Sequence, residues 1–126
     1  MTLRILTIKK SSEFKKISKN NQKFHSKTLL LLSSPTSSSY FYDKTQGKNA
    51  AEFCRVGYTV SKIVGNAVMR NLTKRRLRES VREIFPKYAK LKMDYVIIAK
   101  KEIAEVDFKT ILSDLKFCIK RINNTK

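Results

Sequence analysis

From Arg55 to Arg78 the chain carries Arg55, Lys62, Arg70, Lys74, Arg75, Arg76 and Arg78 without one Asp or Glu. Charge alone would keep such a run disordered, yet apolar residues thread it at helical spacing. It reads as a folded basic helix that lies on a polyanion. The whole chain leans the same way: 28 Lys and Arg oppose 10 acids, for a formal net charge of +18 and a pI near 10.2. Self-repulsion of that size opposes compaction, so the excess meets an anionic partner, nucleic acid or an anionic membrane.

The length of 126 residues fits one domain, 1–126, with a modest core. No apolar run approaches the ~20 residues that span a bilayer, and the N-terminus lacks the apolar stretch and cleavage site of a signal peptide. Cys54 and Cys118 are far apart, each inside an apolar pattern, and read as buried thiols. With the single His25 they offer no zinc spacing. The expected location is the cytoplasm.

Local patterns place the elements. Ser11–Lys19 reads as a short helix with a serine cap and with Phe14 and Ile17 on one face. Lys27–Ser34 reads as a strand, residues 35–52 as a loop or a hairpin with a floppy turn that Phe41 and Tyr42 could open as a short edge pairing, and Cys54–Ser61 as a strand that turns Cys54, Val56, Tyr58 and Val60 to one side and Arg55, Gly57, Thr59 and Ser61 to the other. Gly65-Asn66 breaks that pattern and caps a helix from Ala67 to Phe85, which Pro86 is expected to stop. Asp94–Lys100 is a β-branched strand. Phe108, Ile111, Leu112, Leu115, Cys118, Ile119 and Ile122 form the stripe of a last amphipathic helix. A strand–helix–strand unit at the centre implies an α+β fold, an α/β sandwich with helices packed on a small mixed sheet.

On a helical wheel Met69, Thr73, Leu77, Val81 and Ile84 form a core stripe, and Asn71, Lys74, Arg75, Arg78 and Arg82 form a second face. A merely solvated face mixes Glu with Lys or Arg at four-residue spacing. Here no acid intervenes until Glu79 and Glu83, so the repulsion is offset when phosphates bind. The preference for arginine suits two-pronged phosphate contacts. The Gly65-Asn66-Ala67 amides could also meet a phosphate, but an ordinary cap accounts for them.

The strings Arg55-Val-Gly-Tyr-Thr-Val-Ser-Lys62, Gly65-Asn-Ala-Val-Met-Arg-Asn71 and Lys74-Arg75 with Arg78 resemble the signature of the bacterial ribonuclease P protein component. The resemblance implies a ribosomal-protein-like α/β sandwich with an unusual left-handed βαβ crossover, where strand twist alone predicts a right-handed one. It implies a protein subunit that assists a catalytic RNA in cutting the 5′ leader from precursor tRNA. The active site and its Mg²⁺ then belong to the RNA, with no cofactor, metal or catalytic residue in the protein. The implied partners are the ribonuclease P RNA, at one protein per RNA, and the leader, with no membrane. Asn66, Arg70, Asn71, Lys74, Arg75 and Arg78 match the motif that touches the RNA subunit; the wheel adds Arg82. Phe14, Lys62 and Lys100 match the leader-binding cleft, where Phe14 could stack on unpaired bases or pack with Ile17. Leu72 and Ser18 depart from the family pattern, and Phe24 or Tyr58 could supply the stacking that Ser18 cannot. The competing readings are a general, ribosomal-type RNA-binding protein and a membrane-surface protein. The residues sized for sheet packing disfavour the latter.

Overall fold

The computed structural model describes residues 4–8, 22–36 and 53–123. The expected helix Ser11–Lys19, with Phe14 and Ser18, and the loop residues from 37 to 52 lie outside them. Five strands form one mixed sheet: β1 (Arg4–Thr7), β2 (Gln22–His25), β3 (Leu29–Pro35), β4 (Phe53–Thr59) and β5 (Met93–Ala99). Their order is β1-β4-β5-β3-β2. β1, β4 and β5 run parallel, while β3 pairs antiparallel with both β5 and β2. Helix α1 (Ala67–Tyr88) connects β4 to β5. A short 3₁₀ segment (Lys101–Glu105) leads from β5 to helix α2 (Phe108–Asn123).

Both helices cover one sheet face. Leu29, Leu31, Cys54, Val56, Tyr95, Ile97 and Ala99 point to it and pack with Leu77, Val81, Ile84 and Phe85 of α1 and with Ile111, Leu115, Cys118, Ile119 and Ile122 of α2. Burial of such aliphatic side chains contributes about 1.5–3 kcal/mol each. Two buried hydroxyls on α1, Thr73 and Ser80, donate to the carbonyls of Met69 and Arg76 at 2.9 and 2.8 Å. Each satisfies itself within the helix and so can face the core.

The Tyr95 phenol ties three ends together. It accepts from the Lys90 amide at 2.9 Å and donates to Asn123 Oδ1 at 3.0 Å, while Asn123 Nδ2 donates to the Tyr88 carbonyl. Burial pushes this phenol up to about 12, so it stays protonated. Phe85 meets the Tyr95 ring edge-on, with centroids 5.1 Å apart. These contacts explain why α1 does not stop at Pro86. Proline removes one amide near the helix end, and the packing of Phe85 and Tyr88 carries the last turn past it, closed by the Ala89 amide on the Phe85 carbonyl.

On the other sheet face Ile8, Leu32 and Val96 form a smaller apolar cluster. Arg55 lies there too, but it is buried and belongs to no binding surface. Its Nε and Nη2 each donate to Asp94 at 2.7 Å from the neighbouring strand, and Thr36 Oγ1 donates to the same carboxylate at 2.7 Å. The expected alternation of β4 is observed, but Arg55 and Gly57 are as buried as the residues between them.

Candidate nucleic-acid interface

The basic face starts from a turn that admits little variation. Val60 and Val64 anchor it in the core, leaving Ser61, Lys62 and Ile63 exposed. The Val64 and Gly65 amides donate to the carbonyls of Ser61 and Lys62 at 3.1 and 3.2 Å. Gly65 has φ +153°, and a Cβ there would stand 2.9 Å from Met69 Cβ. Asn66 then caps α1, its Oδ1 accepting from the Met69 amide at 3.0 Å, as a cap residue does. Gly65→Ala is expected to cost about 1–3 kcal/mol through backbone strain and this clash, read as a lower urea midpoint with the m-value unchanged.

Beyond the cap, the wheel is realised. Thr73, Leu77, Ser80, Val81, Ile84 and Phe85 are buried, and Met69 is half-buried. Asn71, Arg75, Arg78 and Arg82 are exposed and Lys74 is half-exposed, with no acid in the first turn. Arg82 differs from the rest: its Nη1 donates to Glu79 Oε1 at 2.6 Å. Both partners are exposed, so the pair adds little stability, but it lowers the positive field at that end of the comb. Arg70 is half-buried, and its Nε is shielded from water with no hydrogen-bond partner among the described residues.

Tyr58, on β4, joins this face from below. Burial pushes its phenol up to about 12, and the nearby cations of Arg78 and Arg82 pull the other way. The phenol therefore stays a neutral donor beside the arginines. Phe24 sits apart: it packs against the helix-side core, with its carbonyl accepting from Cys118 Sγ at 3.6 Å.

Lys62 and Lys100 follow the parallel neighbours β4 and β5 and so lie at the same end of the sheet. Lys62 is exposed. Lys100 is half-buried, its Nζ donating to the Ser26 carbonyl at 2.7 Å and its amide to the Thr28 carbonyl at 2.8 Å. Its charge is held against the β2–β3 turn. The structure thus brings Asn66, Arg70, Asn71, Lys74, Arg75, Arg78 and Arg82 together along α1, while Phe14 lies outside the described residues. Among the described residues no group of three His, Cys, Asp or Glu side chains is placed to hold a metal ion, and no helix is long and apolar enough to cross a membrane. The arrangement sets a row of cations along the outward face of a helix whose other face is docked on the sheet.

The chain has relatives. The family model described as Ribonuclease P matches residues 4–123. The ribonuclease P protein component of Paramagnetospirillum magneticum is 37% identical over 122 residues, covering 97% of this chain and 86% of that one. That of a Thermoanaerobacter species is 33% identical over 116 residues, covering 92% and 88%. Among solved structures, a Staphylococcus aureus RNase P protein mutant with defective mRNA degradation activity aligns with a TM-score of 0.74 at 24% identity, over 93% of this chain and 87% of that one. The RNase P protein from Thermotoga maritima aligns at 0.69 and 25% identity, over 87% and 91%.

Proposed function

The chain belongs to the ribonuclease P protein family, and from this we infer that it is the protein subunit of an endoribonuclease complex that removes the 5′ leader from precursor tRNA together with an RNA subunit. The observation that carries the reading is the comb on α1: a helix with Lys74, Arg75 and Arg78 in no ion pair among the described residues, docked on the sheet by its opposite face.

The finer assignments are proposals. The α1 residues Asn66, Arg70, Asn71, Lys74, Arg75, Arg78 and Arg82 meet the RNA subunit, with the cations on phosphates and Asn66 Nδ2 and the Asn71 amide turned to sugars or bases, since Asn66 Oδ1 caps the helix. Arg82 contributes less, since Glu79 already engages it. Lys62, Lys100 and Phe14 serve the leader. For Lys100, one ammonium hydrogen is committed to Ser26, and the other two can reach a phosphate. Bond cleavage and its Mg²⁺ are assigned to the RNA subunit, with one protein per RNA, in the cytoplasm and away from membranes. The left-handed sense of the β4–α1–β5 connection belongs to the same proposal and is supported by the motif that α1 carries.

The test is cleavage of a precursor tRNA by a bacterial ribonuclease P RNA at low Mg²⁺, with and without this protein. Protein-dependent release of the 5′ leader is the expected result. Tight binding to structured RNA without stimulation would leave a ribosomal-type binding protein and overturn the processing role.

A further inference from the structure

Two large apolar side chains stand in water on either side of the α1 cap: Ile63 is 64% exposed and Val68 is 78% exposed. The backbone beneath both is fixed. Ile63 sits in the turn between Val60 and Val64, which are buried in the core, and the amides of Val64 and Gly65 close that turn. Val68 lies in the first turn of α1, where Asn66 Oδ1 holds the Met69 amide. Both side chains are therefore presented outward, where they add nothing to the core. Valine is also a poor residue for an exposed helical site, because its branched side chain loses rotamer freedom there and alanine forms helix better.

Leu72 prolongs the patch. It departs from the motif that the rest of α1 carries, and it lies one turn beyond Val68, only half-buried. Val68, Leu72 and Arg75 follow one another at steps of four and three, so the apolar strip runs into the comb. Lys62 is exposed next to Ile63 in the chain, and the first turn of α1 holds no acid. The strip thus has a cation before it and a cation after it.

Charge and shape together select the occupant. A second copy docked here would bring two combs face to face, each on a chain of net charge +18. An anionic membrane needs a continuous apolar helix face, and that face of α1 is covered by the sheet. RNA suits both parts, with phosphates for the cations and the plane of an unstacked base for the aliphatic side chains. We propose that Ile63, Val68 and Leu72 form an apolar step at the N-terminal end of the comb, on which the RNA subunit lays an unstacked base while the adjoining phosphates meet Lys62 and Arg75. The step rests on the reading of α1 as the face that meets this RNA, and it adds the part of the contact that carries no charge.

Filter binding of the full chain to a bacterial ribonuclease P RNA across a salt series tests it. Ile63→Ala with Val68→Ala is expected to weaken binding about 10- to 50-fold, from the apolar carbons removed. The log K–log salt slope should stay as it is, because no phosphate contact is lost. Val68→Thr, close in shape but carrying a hydroxyl, should act as Val68→Ala does. The urea midpoint should hold or rise, since both side chains are exposed and alanine favours the helix, which separates a lost contact from a lost fold. Undiminished affinity in the double variant, or a slope that falls with it, overturns the step. Phosphatidylglycerol vesicles are the control: a double variant that loses them as steeply as the RNA makes the patch a membrane contact instead. The comb variant Lys74→Ala with Arg75→Ala and Arg78→Ala tells the two readings apart. If it weakens binding and the double variant does not, the step alone falls; if neither does, α1 does not meet this RNA and the step falls with that reading.

Discussion

Asp94→Ala is expected to lower the unfolding free energy by about 3–5 kcal/mol, the usual cost of stranding one half of a buried ion pair. Arg55 and Asp94 side chains are each only 5% exposed and meet in two hydrogen bonds of 2.7 Å between adjacent parallel strands. Removing the carboxylate leaves a guanidinium in a nearly dry site and also strips Thr36 of its acceptor. Urea unfolding followed by circular dichroism reads the loss. The double variant Arg55→Met with Asp94→Leu should recover much of it, because the penalty lies in burying the guanidinium without its carboxylate rather than in the absence of a pair. A single variant no less stable than the parent chain would mean that water reaches Arg55 and solvates it.

The second large effect is on binding. Lys74→Ala, Arg75→Ala and Arg78→Ala together are expected to flatten the log K–log salt slope for the ribonuclease P RNA by about 2.7, at about 0.9 per lost phosphate contact. Affinity at low salt should fall about 100-fold, on the order of 1 kcal/mol for each charge-assisted contact. Stability should not fall with it, because the three cations form no ion pair among the described residues and their mutual repulsion is relieved. Arg82→Ala is the internal control, with a smaller effect expected because Glu79 already neutralises that end of the face. Filter binding across a salt series decides the matter. An unchanged slope would remove the comb from the interface.

The comb and its cap were legible because local rules suffice to place them. Gly65-Asn66 stops a strand and caps a helix, and the 3.6-residue period sorts Thr73 and Leu77 from Arg75 and Arg78. β5 and α2 declared themselves through a β-branched run and a clean apolar stripe. Arg55 was rightly read on β4, but its buried pairing was not legible, because Asp94 lies 39 residues away and meets it only when β4 and β5 pair. β1 and β2 were missed for a related reason. Each is a four-residue edge strand with no decisive alternation, formed because a longer neighbour supplies its ladder. Pro86 was overruled by tertiary packing at Phe85 and Tyr88. Lys100 was read as following a strand, and it does follow β5, but no spacing rule foretells that its ammonium donates to the Ser26 carbonyl 74 residues earlier.

The strand order has a consequence for how this chain is made. β5 lies at the centre of the sheet, with β4 on one side and β3 on the other, and it is the last strand to leave the ribosome. Until residues 93–99 emerge, β4 and β3 lack the strand that joins them in the sheet. The sheet therefore closes in one late step, when the nascent chain already carries the whole of α1 and its cations. The comb exists as charge before it exists as a docked surface, because the sheet face that α1 packs on is incomplete until β5 is in place.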